Sequence, residues 1–199
     1  MVLNQHETVL TLLWENDGYL TAKRARENSV TYATLQRMAR GGAIEKAVHG
    51  LYILPDMIPD PYFIAQYRCP KGVFSHETAL FLLGLSDRVP FRLMVTIPSG
   101  WNAAMLTDPG MAFFYCKKAW IELGVCEVKT PSGRTVRVFD RERTLCDCLR
   151  AGDKLDRDLV LSAIKQYMKE PTADKTKLLR YAETFKVRDM VRQYMEVLS

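Results

Sequence analysis

Two short helices joined by a tight turn are predicted near the N-terminus, and this segment constrains the fold more than any other part of the chain. Thr21 and Thr31 each precede a run of helix-forming residues, where a threonine hydroxyl can accept a hydrogen bond from an early helical N–H. The first helix is expected over residues 22–27 and the second over 32–40, where Gly41 and Gly42 end it. The few residues between the two helices leave room only for a turn.

A β-hairpin is predicted directly after the second helix. Residues 43–46 and 51–54 are extended runs, and Gly50 lies in the short segment that joins them. A further helix is predicted from the apolar rhythm of Asn4 to Trp14, with Asn4 as its N-cap. Three helices and a hairpin in this order predict a winged helix-turn-helix over residues 1–55, an arrangement with which many proteins enter the DNA major groove.

Side chains suited to DNA recognition lie on the predicted outer side of the second helix. Leu35, Met38 and Ala39 fall on the side that is expected to pack inward. The opposite side carries Arg and Gln, whose paired hydrogen-bonding groups match guanine and adenine edges, while the basic residues of the first helix are placed to meet phosphates. Residues 23–46 contain six Lys or Arg and two acids. The candidate DNA-contacting residues are therefore Lys23, Arg24, Arg26, Thr31, Tyr32, Gln36, Arg37, Arg40, Lys46 and His49.

The amino-acid composition limits which partners and which cellular compartment are expected. The net charge of +5 over 199 residues is mild, so any nucleic-acid contact is expected to be a patch and not the whole surface. The five cysteines include no CxxC pair, which favours reduced, buried thiols in a cytoplasmic protein. No leader pattern is visible and no apolar run approaches the roughly 18 residues that a membrane span needs, so no membrane partner is expected.

A second domain is predicted after a stiff connector. Residues 55–61 contain three prolines, which places a linker at 56–61 and a mixed domain at 62–199. Extended runs at 91–97 and 111–116 and a hairpin at 125–139 predict a small β-sheet, and everything from Arg141 onward is predicted to be a helical bundle. The expected fold class is therefore α+β.

Two clusters in this domain invite a catalytic interpretation. Ser75, His76 and Glu77 are adjacent, but neighbours at a helix start are not expected to face one another, and Ser75 is explained as an N-cap. Glu142 and Asp147 could serve a metal-dependent nuclease, although the strands add only Glu127 and Lys129. The alternative is a structural ion pair behind a helix that Asp140 caps. No nucleotide-binding or hydrolase motif is present, so neither an enzyme nor a cofactor is expected.

Three features in this order resemble one known family. They are the predicted winged helix, residues 72–80 followed by Leu82 to Leu85, and residues 136–147. The chain resembles the AbiEi family, the antitoxins of bacterial abortive-infection, or type IV, toxin–antitoxin pairs. The similarity in order and spacing covers nearly the whole chain.

The resemblance implies a protein with two roles. Its winged helix would bind inverted repeats in its own promoter, with two protomers on each operator, and repress transcription. The C-terminal domain would counter a toxin that resembles nucleotidyltransferases, with or without a stable complex. Two alternatives stay open from the residues themselves: a metal-dependent nuclease or nucleotide-processing enzyme, and an adaptor whose winged helix binds protein.

Overall fold

The structure is a computed structural model that describes residues 4–101 and 108–198. The fold is α+β, with helices and two small sheets. The chain divides into two compact units, residues 1–64 and 65–199, and the boundary falls inside one helix, α4 (Pro61–Arg68).

The first unit contains three helices and a three-stranded antiparallel sheet. Its strand order is β1-β3-β2, so the last strand of the unit lies between the other two. In chain order the elements are α1 (Gln5–Trp14), β1 (Tyr19–Thr21), α2 (Ala22–Glu27), α3 (Tyr32–Arg40), β2 (Glu45–Val48) and β3 (Leu51–Ile53).

The three predicted N-caps are confirmed. Asn4 accepts a hydrogen bond from the N–H of His6, and Glu7 returns one to the Asn4 backbone, which completes a capping box. Thr21 and Thr31 cap α2 and α3 through their hydroxyl groups. These bonds fix the start of each helix and therefore the direction in which its side chains point.

The core of the first unit lies between the helices and the sheet. Its fully buried side chains come from every helix and from two strands, and they include Leu13, Leu20, Ala25, Leu35, Met38 and Tyr52. The inward side predicted for α3 is confirmed, since Leu35 and Met38 are each about 1% exposed. The sequence carries no local signal for the pairing of β1 with β3.

The residues predicted to form a stiff linker, 56–61, belong to the first unit. The N–H of Asp60 donates a hydrogen bond to the Tyr19 hydroxyl at 2.8 Å, and Asp60 is buried. Its carboxylate accepts from the N–H groups of Tyr62 and Phe63. The two units divide after residue 64, and the prolines had predicted the linker at 56–61.

The second unit combines a five-stranded mixed sheet with helices. The strand order is β6-β5-β4-β8-β7, with β5·β6 and β4·β8 parallel and the other two pairs antiparallel. After α4 the elements are β4 (Val73–Phe74), α5 (His76–Leu82), β5 (Leu93–Pro98), β6 (Met111–Cys116), β7 (Val125–Lys129), β8 (Thr135–Phe139), α6 (Arg141–Ala151), α7 (Arg157–Lys169), α8 (Lys175–Thr184) and α9 (Arg188–Leu198).

The four C-terminal helices share an apolar core with α5. On α7 the side chains of Val160, Ala163, Ile164 and Tyr167 are all buried in this core. All five cysteines are free thiols, and only Cys126 is not fully buried. Every helix within residues 4–101 and 108–198 is too short or too polar to cross a bilayer.

Candidate functional site

The outer side of α3 carries the side chains that were predicted to contact DNA. Tyr32, Arg37 and Arg40 are exposed, and Gln36 is half-buried. At 100° per residue, these four side chains fall within an arc of about 140° on the helix. They therefore form one continuous surface, opposite the residues that pack into the core.

A groove between α2 and the start of α3 continues this surface. Its volume is about 600 Å³, and its lining is Ala22, Lys23, Arg26, Ser29, Val30, Thr31, Tyr32 and Leu35. Lys23 and Arg26 of α2 therefore line the same groove as Tyr32, the first residue of α3. The sequence pointed to Lys23 and Arg26 but gave no sign that Ser29 joins them, because Ser29 lies in the turn.

The cations of this surface fall into two groups. Lys23 lies 3.9 Å from Glu27 and Arg24 lies 3.6 Å from Glu15, so both have an acidic neighbour. No ion pair within the described residues involves the four remaining cations, Arg26, Arg37, Arg40 and Lys46. Their charge is available to an external anion, because these side chains are exposed and no acid neutralises them.

Thr31 and His49 are the remaining candidate DNA-contacting residues. The Thr31 hydroxyl accepts from the N–H of Thr34 and also bonds the side chain of Gln5, so it serves mainly to start α3. Gln5 reaches Thr34 as well, and through these bonds it ties α1 to α3. His49 is exposed in the turn between β2 and β3, and Lys46 is exposed on β2.

The second unit holds Ser75 and His76 in direct contact, which corrects the sequence-based expectation. His76 has φ +51°, outside the right-handed helical region, so its ring turns back toward its neighbour. The Ser75 Oγ and His76 Nδ1 atoms lie 2.9 Å apart, and the Thr96 hydroxyl donates to Ser75 Oγ at 2.8 Å. Ser75 occupies the N-cap position, but its side chain makes no capping bond.

The chemistry of this pair is nevertheless unsuited to catalysis. Ser75 is 0% and His76 2% exposed, so no substrate reaches the hydroxyl. Burial, together with the charges of Arg150, Arg143 and Lys154, lowers the pKa of His76 to about 3. A neutral imidazole with so low a pKa is a weak general base, and its ring stacks on Phe114 at 3.7 Å between centroids. We interpret the pair as structural.

The carboxylates considered for a nuclease are occupied by other side chains. The Lys177 ammonium lies 3.0 Å from both Asp140 and Glu142, and the Tyr167 hydroxyl donates to Glu142 at 2.7 Å. Asp140 caps α6 as predicted. The expected ion pair of Glu142 is present, but its partner is Lys177 of α8 and not an arginine of α6.

Asp147 belongs to a separate, buried network. Its Oδ2 accepts from Arg143 Nε at 2.8 Å, and both side chains are 0% exposed. Glu142 and Asp147 therefore do not form one site. Nowhere in the described part of the chain do three or more His, Cys, Asp or Glu side chains form a group that could hold a metal ion.

Comparison with known proteins extends only to the fold. No protein-family model matches the chain, and a search of curated proteins gave no match. Among solved structures, the chain is similar to the RV2827C protein from Mycobacterium tuberculosis, with a TM-score of 0.55. The similarity covers 96% of this chain and 80% of that chain at 12% sequence identity. At this identity the likeness concerns the fold and carries no function across.

Proposed function

We propose that the first unit is a winged helix-turn-helix that binds duplex DNA, with α3 in the major groove and the β2–β3 hairpin as the wing. The observation that carries the proposal is the pair Arg37 and Arg40, both exposed on the outer side of α3 and without an ion-pair partner in the described residues. Guanidinium groups in this position have the donor geometry that reads guanine O6 and N7.

The order of the elements supports the same proposal. Three helices precede a hairpin whose last strand pairs with both β1 and β2, so the hairpin is held against the helices. The α2 side of the groove supplies Lys23 and Arg26 beside the first turn of α3, where a phosphate would also meet exposed helical N–H groups. Base contacts and phosphate contacts would therefore come from adjacent elements.

The wider role that we propose is that of an antitoxin which represses its own operon. It rests on the resemblance of residues 72–80 and 136–147 to the AbiEi family. The winged helix would bind inverted repeats as two protomers on each operator, as two-fold related half-sites require. The second unit would counter a nucleotidyltransferase-like toxin encoded beside it.

DNA binding is tested with the full chain and a fragment of its own promoter. We expect the promoter fragment to bind more tightly than a scrambled fragment of equal length and composition, with an affinity that falls as salt rises. Equal affinity for both fragments would contradict specific reading by α3. Absence of salt-dependent binding to either fragment would instead favour a protein-binding adaptor.

The division of roles is tested in cells with an Arg37→Ala/Arg40→Ala variant. We expect this variant to lose repression of a promoter reporter and to retain rescue of growth when the neighbouring toxin is induced. A Lys165→Ala/Lys169→Ala variant, altered at two exposed lysines of α7, serves as the matched control and should keep both activities. Loss of rescue together with repression in a folded α3 variant would contradict the proposed separation.

A further inference from the structure

Strand β6 forms one edge of the five-stranded sheet. Its six residues, Met111–Cys116, include no charge and no proline, and three of them are aromatic. The opposite edge, β7, presents the charged side chains of Glu127 and Lys129 to solvent. Charged residues on an edge strand discourage pairing with another chain, so the two edges of this sheet differ in their tendency to associate.

The backbone of β6 has hydrogen-bonding groups that face away from the sheet. Leu93 N–H donates to Gly110 O and Ser99 N–H donates to Cys116 O, which sets the phase of the parallel β5·β6 ladder. In a parallel ladder, alternate residues direct both backbone groups to the same neighbour. The even-numbered residues of β6 therefore bond β5, and the residues whose groups face outward are Met111, Phe113 and Tyr115.

Two of these three residues have outward backbone groups that make no hydrogen bond in the described part of the chain. Met111 is already bonded, because its N–H donates to Asp108 O at 3.1 Å and its carbonyl accepts from the Arg92 guanidinium. Within residues 4–101 and 108–198, no hydrogen bond is made by the outward backbone groups of Phe113 and Tyr115. The Tyr115 side chain is 54% exposed, so the edge is accessible at this point.

We propose that β6 is an interface for a second copy of this chain, in which the two β6 strands pair antiparallel about a two-fold axis and join the sheets of the two copies. A two-fold axis makes identical strands antiparallel, and in such a pair each hydrogen-bonded residue both donates and accepts. The register follows from the unbonded backbone groups of Phe113 and Tyr115, which must lie opposite each other to form hydrogen bonds. Phe113 of one copy pairs with Tyr115 of the other, and Phe114 lies opposite its own equivalent.

The neighbouring register is disfavoured by bonds that already exist. Pairing centred on Phe113 would place Met111 opposite Tyr115 of the other copy, and Met111 has no outward group to offer. In the proposed register, Phe113 and Tyr115 form aromatic cross-strand pairs on one face, an arrangement that stabilises antiparallel strands.

The test is the mass of the full chain by sedimentation, and it needs no DNA, so it is independent of the proposed function. The wild-type chain should sediment at twice its 22.8 kDa mass. Tyr115→Pro should be a monomer, because proline removes an outward N–H while sparing the bonds to β5, and edge strands tolerate proline. Tyr115→Phe, which keeps the N–H and the ring, is the matched control and should remain dimeric.

The register has its own test. Side chains approach most closely at the non-hydrogen-bonded position of an antiparallel pair, so Phe114→Cys should form a disulfide-linked dimer under mild oxidation. Phe113→Cys should not, and the wild-type chain controls for the native cysteines. Should Tyr115→Pro fail to fold by circular dichroism, Tyr115→Lys provides a second way to block the edge and should also be monomeric.

Three results would overturn the proposal. They are a wild-type chain that is monomeric at every concentration, a dimer that survives both Tyr115→Pro and Tyr115→Lys, and cross-linking through position 113 but not 114. The first two would show that β6 is not the interface, and the third would show that the strands pair in another register.

Discussion

The Nε atom of Arg143 donates a hydrogen bond to Oδ2 of Asp147 across 2.8 Å, one turn further along α6, and neither side chain exposes any surface. The guanidinium lies between two rings, 4.3 Å from the centroid of Phe139 and 3.9 Å from that of Phe185. Its Nη1 donates to the carbonyls of Trp120 and Leu123. A buried charge is thus held by one carboxylate, two carbonyls and two aromatic faces.

Removal of the Asp147 charge should destabilise the second unit strongly. Asp147→Asn leaves Arg143 buried without its carboxylate, which typically costs about 3–5 kcal/mol of unfolding free energy. Urea unfolding would measure the loss by fluorescence in a Trp14→Phe background, in which only Trp101 and Trp120 report. Asp153→Asn, at an exposed ion pair with Arg157, is the control and should leave the unfolding curve unchanged.

The double variant Arg143→Met/Asp147→Leu tests whether the uncompensated charge of Arg143 causes the loss of stability in Asp147→Asn. It removes both charges at once and fills much of the same space, so it should recover most of the stability that Asp147→Asn loses. Recovery would show that the uncompensated charge is the main cost. A double variant as unstable as Asp147→Asn would contradict that explanation and assign the cost to the other interactions of the pair, which are the bonds of Arg143 to two carbonyls, the ion pair of Asp147 with Arg150 and the packing.

His76 should make the stability of the second unit dependent on pH. Burial and three nearby cations lower the pKa of His76 from 6.5 to about 3 in the folded chain. Between these two values the unfolded chain binds a proton that the folded chain does not, so stability falls as pH falls from 6.5 toward 3. The slope from this group approaches about 1.4 kcal/mol per pH unit in the middle of that window.

The variant His76→Asn should remove this part of the slope. Asparagine tolerates the positive φ at this position and can still bond Ser75, but it does not titrate. Urea unfolding at a series of pH values in the same Trp14→Phe background would measure the slope. His49→Asn, at an exposed histidine of the first unit, is the control. An equal slope in His76→Asn and wild type would show that His76 is not the titrating group.

Local signals predicted the elements of this fold better than their pairing. Asn4, Thr21, Thr31 and Asp140 each cap a helix as expected, because a cap depends mainly on the next few residues. Ser75 was also expected to cap its helix, but its side chain makes no capping bond. Strand β4 has two residues and was not predicted, although it lies at the centre of its sheet. Such a strand exists only because β5 and β8 lie on either side of it.

The side-chain contacts of the second unit were predicted least well, for two physical reasons. Lys177 is distant in sequence from Asp140 and Glu142, so no spacing pattern connects them. The contact between Ser75 and His76 was not expected, because neighbours at the start of a regular helix do not face one another. The φ of +51° at His76 breaks that assumption, and a single sequence carries no signal for it.

Arg37→Ala and Arg40→Ala should each weaken binding to the promoter fragment. A guanidinium that hydrogen-bonds a base edge contributes about 1–3 kcal/mol of binding free energy, and its loss should relax specificity at that base. Fluorescence anisotropy with promoter and scrambled fragments would measure both effects. Lys165→Ala is the control. Unchanged binding in both arginine variants would show that α3 does not enter the groove in the proposed orientation.

The cations that line the α2 side of the groove should instead control the salt dependence of binding. Lys23 and Arg26 flank the start of α3, where phosphates would lie, and each phosphate contact contributes about 0.9 to the slope of log affinity against log salt. The variant Lys23→Ala/Arg26→Ala should therefore lower that slope by up to about 1.8 and weaken promoter and scrambled DNA to a similar extent, with the larger share from Arg26 because Glu27 lies 3.9 Å from Lys23. Arg24→Ala should change the slope less, since Glu15 already lies 3.6 Å from Arg24.

Anisotropy titrations over a range of salt would give each slope, with Lys165→Ala/Lys169→Ala as the matched double control. A slope that is unchanged in Lys23→Ala/Arg26→Ala, or lowered equally in the control, would show that this groove does not face the DNA backbone.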